Sequence, residues 1–310
     1  MSIILECKNI KKKVGTFLLN NVNFRLEEGM ILGVIGVNGS GKTTLLNCIL
    51  RAYGLNGPMD GGEILLGGLS PERDRKAYLD QLGFVSSQNI YDILLSPQAI
   101  GRLYGEYYSR FSMEEYLGLL EEFKVCDAGA KKEPLLKELS TGEVIKAQLA
   151  FAISCHPKLL VLDEPVGNLD VEFRDYFYSK LREIAAGGET TIIISSHIAE
   201  ELEHFADYIL WLEKGKKSQL YYGTMDELLE QYRILPLDRA ETAGFPKKMV
   251  VGRKERETHQ EVMVRMKDEY LKYLEPFRGK ERFPDLTEIM YYETKAKESE
   301  NDEGYANQKV

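Results

Sequence analysis

Gly36-Val37-Asn38-Gly39-Ser40-Gly41-Lys42-Thr43 sets three glycines, two hydroxyls and a lysine in one short stretch. Its spacing is G-x-x-x-x-G-K-[ST], a pattern that binds phosphate. Glycine accepts the dihedrals that wrap a backbone tightly, so loop N–H groups, those of Asn38 and Ser40 among them, turn inward on phosphate oxygens. A helix starting at Lys42 offers its positive end to the same anion. In this pattern Lys42 reaches the β- and γ-phosphates and the Thr43 hydroxyl binds Mg²⁺, with Thr44 beside it. Further on, Leu159-Leu160-Val161-Leu162-Asp163-Glu164 ends an apolar run on two carboxylates. A buried strand of this kind delivers its acids at the C-terminal edge of a sheet, where α/β folds bind ligands. Asp163 is the expected Mg²⁺ partner and Glu164 the base for an attacking water. Removing such a base typically costs about 10²–10⁴ in rate.

These residues need elements to hold them. Met30-Ile31-Leu32-Gly33-Val34-Ile35 is continuously apolar, as a strand buried on both faces must be. It leads into the glycine loop, and a helix is predicted from Lys42 to Tyr53. Short strands are predicted at Glu63-Ile64-Leu65-Leu66 and Gly83-Phe84-Val85. Thr191-Ile192-Ile193-Ile194 is another buried strand, separated from 159–162 by a helix over about 172–186. Apolar strands alternating with helices imply a parallel sheet covered by helices. Between them, residues 96–125 read as helical and rich in tyrosine, and Ser112 with Glu115 is a capping-box signature. The pattern leaves open whether those aromatics form a core or a docking surface.

The order of these motifs resembles the ATP-binding cassette family, the ATPase subunits of ABC transporters, over about residues 2–230. Gln88 resembles the family's Q-loop glutamine. Leu139-Ser140-Thr141-Gly142-Glu143 is similar to its LSGGQ signature. Gly167-Asn168-Leu169-Asp170 is similar to its D-loop, and His197 to its switch histidine. The resemblance implies an α/β P-loop NTPase core with an N-terminal antiparallel β subdomain, a helical signature subdomain at about 89–155 and a small C-terminal appendage. It implies ATP and Mg²⁺ as cofactors, with Gln88 touching Mg²⁺ or the attacking water and His197 aligning Glu164 on the γ-phosphate. It also implies two cassettes packed head to tail, so that Ser140, Gly142 and Asp170 meet nucleotide across the interface. Adenine would rest on Val14 or Phe17. Two positions depart from the signature: Thr141 replaces a glycine, and Glu143 brings a negative charge near an anion. Lys146, one turn later, is expected to offset that charge.

The implied partners are an integral membrane permease subunit, whose coupling helix would dock behind Gln88, and a second nucleotide-binding domain. The implied place is the cytoplasmic face of the membrane. The LSTG form of the signature and the tail Phe283-Pro284-Asp285-Leu286-Thr287-Glu288-Ile289-Met290-Tyr291-Tyr292 are similar to bacterial drug and peptide exporters. Efflux, with amphipathic or antimicrobial peptides as cargo, is the expected function. The alternatives are an importer ATPase, or a soluble ABC ATPase acting on nucleic acid or ribosomes. Against the last, Lys42 and Ser140 stand 98 positions apart with no heptad run between them.

Composition agrees with this frame. The 310 residues are 44% hydrophobic and 29% charged, and 40 Lys and Arg against 49 Asp and Glu give a net charge of −9. That is the wrong sign for a chain that coats nucleic acid. No apolar run reaches the roughly 18 residues of a membrane-spanning helix, and the first residues show no secretory pattern. Cys7, Cys48, Cys126 and Cys155 are widely spaced and read as reduced core thiols. Lys11-Lys12-Lys13 reads as a solvated charge run, and Met263 with Met266 as core. The cassette is expected over 1–234 and a small accessory or dimerisation subdomain over 235–292. That subdomain should hold a strand at Met249-Val250-Val251 and helices over about 258–274 and 285–292. The polar tail, 293–310, is expected to be disordered.

Overall fold

The computed structural model describes residues 2–126, 133–215, 218–238, 241, 245–246, 248–257 and 259–307, with backbone alone at 268, 271 and 297–307. It divides into two compact units, Met1–His197 with Phe205–Tyr222, and Ile198–His204 with Gly223–Val310.

The first unit holds two sheets. In the antiparallel one, β1 (Ile3–Val14) lies between β2 (Phe17–Glu27) and β4 (Gly61–Leu66). The other runs in the order β5 (Leu82–Ser86), β6 (Leu159–Asp163), β7 (Thr191–Ser195), β3 (Ile31–Ile35), β8 (Tyr208–Leu212) and β9 (Gln219–Thr224). From β5 to β8 each neighbouring pair is parallel. Every residue of β3 and β7 is buried, so these strands have no polar face. Helix α1 (Lys42–Ile49) packs Leu45, Leu46 and Ile49 into the same core as Leu5, Ile10 and Leu26. It is shorter than its composition suggests. Arg51 adopts φ +63°, a left-handed conformation that ends the helix before Tyr53.

The helical part comprises α2 (Arg75–Leu79), α3 (Pro97–Tyr104), α4 (Met113–Glu122) and α5 (Thr141–Ser154). Ser112 caps α4 by accepting from the Glu115 N–H at 3.2 Å, as expected. The structure also sorts the tyrosines. Tyr116 is wholly buried, donates to the Pro97 carbonyl at 2.8 Å and meets Phe151 edge-on at 5.7 Å. Tyr107, by contrast, is 68% exposed. Helix α6 (Val171–Ala186) follows, close to the predicted span. Lys12 corrects the reading of a solvated run. Its side chain is 14% exposed and its Nζ lies 2.6 Å from the Asp60 carboxylate, which is 3% exposed and so needs a partner.

The second unit contains α7 (Ala199–Glu203), α8 (Met225–Glu230), α9 (Leu271–Leu274), α10 (Leu286–Asn307) and an antiparallel sheet. In that sheet β12 (Gln260–Arg265) lies between β10 (Tyr232–Leu237) and β11 (Val250–Glu255). Three expectations change here. Leu235-Pro236 is not a boundary but the interior of an edge strand, where a proline is tolerated. The predicted helix gives way to a strand over Gln260–Arg265: Val262, Met263 and Val264 are buried in the unit's core, and that burial outweighs local helix propensity. Met263 is core as expected. Finally, α10 carries the tail as helix through Asn307 rather than leaving it without structure. Glu293 anchors it, 2% exposed, accepting from Tyr232 Oη at 2.8 Å and Arg265 Nη2 at 2.5 Å. Residues 308–310 lie outside the described residues.

Cys7, Cys48 and Cys155 are buried free thiols, and Cys126 is half-buried. Burial pushes the Cys48 and Cys155 thiols up to about 12. At pH 8 such a thiol is about 10⁻⁴ ionised, and the thiolate is the reactive form. Labelling with a thiol-reactive disulfide is therefore expected to modify Cys126 alone in the native protein, and all four cysteines after denaturation. Fast native labelling of Cys48 or Cys155 would contradict this packing.

Candidate nucleotide site

The glycine loop leaves β3 through Gly36 at φ +149°, where a Cβ would collide with the Leu212 carbonyl. Gly41 has φ +107° and lies over the Phe17 ring, 2.8 Å from where its Cβ would be. Only glycine allows both the turn and the close approach. Lys42 opens α1 and is 5% exposed. Its Nζ donates to the Gly36 carbonyl at 2.8 Å and stands 3.4 Å from Glu164 Oε1. The Ser40 hydroxyl inside the loop is buried with no hydrogen-bond partner. Loop N–H groups, an ammonium and a hydroxyl together form a donor set that suits a polyphosphate.

A cleft of about 1130 Å³ opens beside the loop. It gathers Asn38, Gly39, Gly41, Lys42, Thr43 and Thr44 with Gln88, Asp163 and Glu164 from the sheet edge. Val14 and Phe17 both line it, so the two adenine candidates share one wall. Thr43 and Asp163 supply oxygen donors, the type that hard cations prefer. Among the described residues no cluster of three or more His, Cys, Asp or Glu forms a separate metal site. A single carboxylate plus phosphate oxygens is how proteins usually hold Mg²⁺.

Glu164 sits between His197 and Lys42. Its Oε2 lies 3.3 Å from His197 Nδ1 while Oε1 faces Lys42. Its backbone is left-handed at φ +49°. The Glu164 N–H donates to the Ser195 carbonyl at 3.2 Å and to Ser195 Oγ at 3.1 Å. Ser195 in turn donates to Asp163 Oδ1 at 2.6 Å.

The remaining residues are placed elsewhere. Ser140 is the N-cap of α5, and Glu143 completes a capping box there. The Glu143 Oε2 accepts from both the Ser140 N–H and the Ser140 hydroxyl, each at 2.7 Å. Gly142 faces the Asn168 carbonyl, which a Cβ would approach to 2.9 Å. Asp170 caps α6, accepting from the Phe173 N–H at 2.8 Å. That bond, then Lys146, holds its carboxyl below the usual carboxylate range. Lys146 Nζ lies 3.2 Å from Asp170 and 4.1 Å from the Phe173 ring centre. Its charge therefore goes to Asp170 and does not offset Glu143, which has turned to its own helix end instead. Ser140, Gly142 and Asp170 do not line the cleft of their own chain.

Three residues escaped the sequence reading. Ser195 bridges both acids. Lys214 lines the cleft beside Gly39. Gln148, wholly buried in α5, accepts from the Ser86 N–H at 3.1 Å and donates to the Ser86 and Gln88 carbonyls at 3.3 and 3.1 Å. A glutamine on an apolar helix face was the one available signal.

A sequence profile described as ABC transporter matches residues 19–167. The Nod factor export ATP-binding protein I of Rhizobium leguminosarum bv. viciae is 32% identical over 218 residues, 69% of this chain and 68% of that protein. The bacitracin transport ATP-binding protein BcrA of Enterococcus faecalis is 31% identical over 222 residues, 69% and 68% of the two chains. The phosphonates import ATP-binding protein PhnC of Treponema denticola is 32% identical over 229 residues, 69% and 88%. Among solved structures, an ATP-binding subunit of an ABC transporter superposes with a TM-score of 0.65 at 25% identity, covering 74% of this chain and 92% of that one. The chain belongs to the ATP-binding cassette family of transporter ATPases, and its first unit has the family's α/β P-loop fold.

Gln148 gives a test of how α5 is joined to the Gln88 segment. Gln148→Leu leaves two carbonyls and one N–H of the half-buried Ser86 and exposed Gln88 without this partner, at up to about 1–3 kcal/mol for a group that water does not reach. It is expected to lower the denaturant midpoint and the ATPase rate together. An unchanged midpoint would show that these bonds contribute nothing.

Proposed function

We propose that this chain is the ATP-hydrolysing subunit of an exporter that works through a separate membrane subunit. The observation that carries the ATPase part is the convergence of Lys42, Asp163 and Glu164 on one cleft, with His197 Nδ1 3.3 Å from Glu164. In that cleft the loop N–H groups and Lys42 bind the phosphates. Glu164 accepts the proton of the attacking water, and His197 holds Glu164 in line. Thr43 and Asp163, with Gln88 at the rim, hold Mg²⁺, which supplies charge neutralisation on the phosphate oxygens.

The signature residues support a head-to-tail dimer. Ser140 is exposed at the start of a 14-residue helix and lies away from its own chain's cleft. A second copy would bring it to the nucleotide, where its hydroxyl and the α5 N-terminus favour an anion. Docking to a permease at the cytoplasmic face is supported by exposed Ile90, Ile93, Leu94 and Tyr107, just beyond Gln88, since aromatic and aliphatic side chains of this kind suit an interface core. Among the described residues, no helix is long and apolar enough to cross a membrane. Export is supported by the Nod factor export relative, and the bacitracin transport relative favours a peptide cargo. Import is the second reading, favoured by the phosphonate relative.

Glu164→Gln is expected to abolish turnover and to hold an ATP-bound dimer on size exclusion; unchanged turnover would remove Glu164 from the mechanism. Glu143→Gln keeps the capping box but removes its charge. In the Glu164→Gln background it is expected to lower the ATP concentration needed for dimerisation severalfold, and no change would mean that Glu143 does not compete with the phosphate. Tagged protein drawn from native membranes in mild detergent is expected to retain an integral membrane subunit in equal amount. That complex in liposomes should hydrolyse ATP in step with peptide efflux. Peptide uptake would favour import, and recovery with ribosomes or nucleic acid would overturn the transporter reading.

A further inference from the structure

We propose that Ser195 is the positioning residue that sets both acids of the cleft, aiming Asp163 at the cation and holding Glu164 at the nucleotide. The proposal rests on the reading of Asp163 as the Mg²⁺ partner. Ser195 is the last residue of β7 and wholly buried, facing Asp163 in the parallel register of β6 and β7.

A serine hydroxyl has one proton to give and two lone pairs to receive. Here the proton goes to Asp163 Oδ1 at 2.6 Å, and a lone pair receives the Glu164 N–H at 3.1 Å. The first bond ties down one carboxylate oxygen. Among the described residues Oδ2 accepts no hydrogen bond, so it is the oxygen left for a cation. Outer hydrogen bonds of this kind orient metal-binding carboxylates, and losing one typically costs about 10–100-fold in metal affinity or activity.

The second bond answers a strain. Left-handed backbone is unfavourable for a non-glycine residue, and it persists only where the surroundings fix it. Glu164 adopts it at φ +49°, and its N–H is held by both oxygens of Ser195, the carbonyl at 3.2 Å as well as Oγ. The turn ends β6 directly after Asp163 and sends the Glu164 carboxylate to Lys42 and His197. One buried hydroxyl thus links the group that holds the cation to the group that moves the proton.

The test compares Ser195→Ala and Asp163→Asn with the parent full-length chain. Binding of a fluorescent ATP analogue is followed across a Mg²⁺ titration and again in EDTA, beside the ATPase rate. Ser195→Ala is expected to raise the Mg²⁺ concentration for half-maximal binding by about 10–100-fold. Its metal-free nucleotide affinity should stay within about twofold of the parent, because the phosphate loop is untouched, and its turnover should fall. Equal weakening with and without Mg²⁺ would mark Ser195 as a packing residue and overturn the proposal. A shift in Asp163→Asn without one in Ser195→Ala would overturn it as well. No shift in either variant would overturn the Asp163 reading beneath it.

Discussion

Asp163 and Ser195 face each other across two parallel strands, and that pairing places the chemistry of the cleft. A parallel sheet buried on both faces cannot leave backbone N–H and C=O groups unpaired, so its register is fixed by burial. The strands β6, β7 and β3 therefore end at one edge in a set order. The first delivers the two carboxylates, the second the serine and then His197, and the third the glycine loop. Shifting β6 by one residue would turn Asp163 to the opposite face of the sheet.

The same edge concentrates charge. Lys42 is nearly buried, and a buried ammonium without a partner is costly. The Gly36 carbonyl and Glu164 Oε1 satisfy it in this structure. A triphosphate offers Lys42 a stronger acceptor than either, since charge-assisted bonds to phosphate are among the strongest that a protein makes. On the proposed mechanism, Lys42 would then leave Glu164, which has His197 and the Ser195 tether as its other partners. The proposed base would stay aimed while its cationic neighbour changes partner.

Much of the cleft was legible because its motifs are local. In Gly36 to Thr44 the spacing itself encodes the loop, and in Leu159 to Glu164 the run of apolar residues encodes the strand and its edge. Ser195, Gln148 and Lys214 were not legible for the opposite reason. Each meets its partners from a distant part of the chain, and a serine at the end of a strand carries no local mark. Lys12 was misread in the same way, since Asp60 lies 48 positions away. In the second unit, composition misled where tertiary burial decided. Val262 and Val264 pack as strand in a stretch whose other residues favour helix. Glu293 looked like a solvated tail residue until Tyr232 and Arg265 were seen around it.

The signature shows how one substitution can act through a cap. In a capping box the third residue of the helix reaches back to the N-cap, and Glu143 does this with an oxygen that also takes the Ser140 hydroxyl proton. An anion arriving from a second cassette would compete for that proton and for the positive end of α5. Lys146 cannot relieve the competition, because Asp170 and the Phe173 ring hold it. The helix end therefore carries an anion of its own, and any phosphate that binds there must first displace a carboxylate. On the proposed head-to-tail dimer, Glu143 would therefore act on closure through the cap of α5, apart from the residues proposed for hydrolysis.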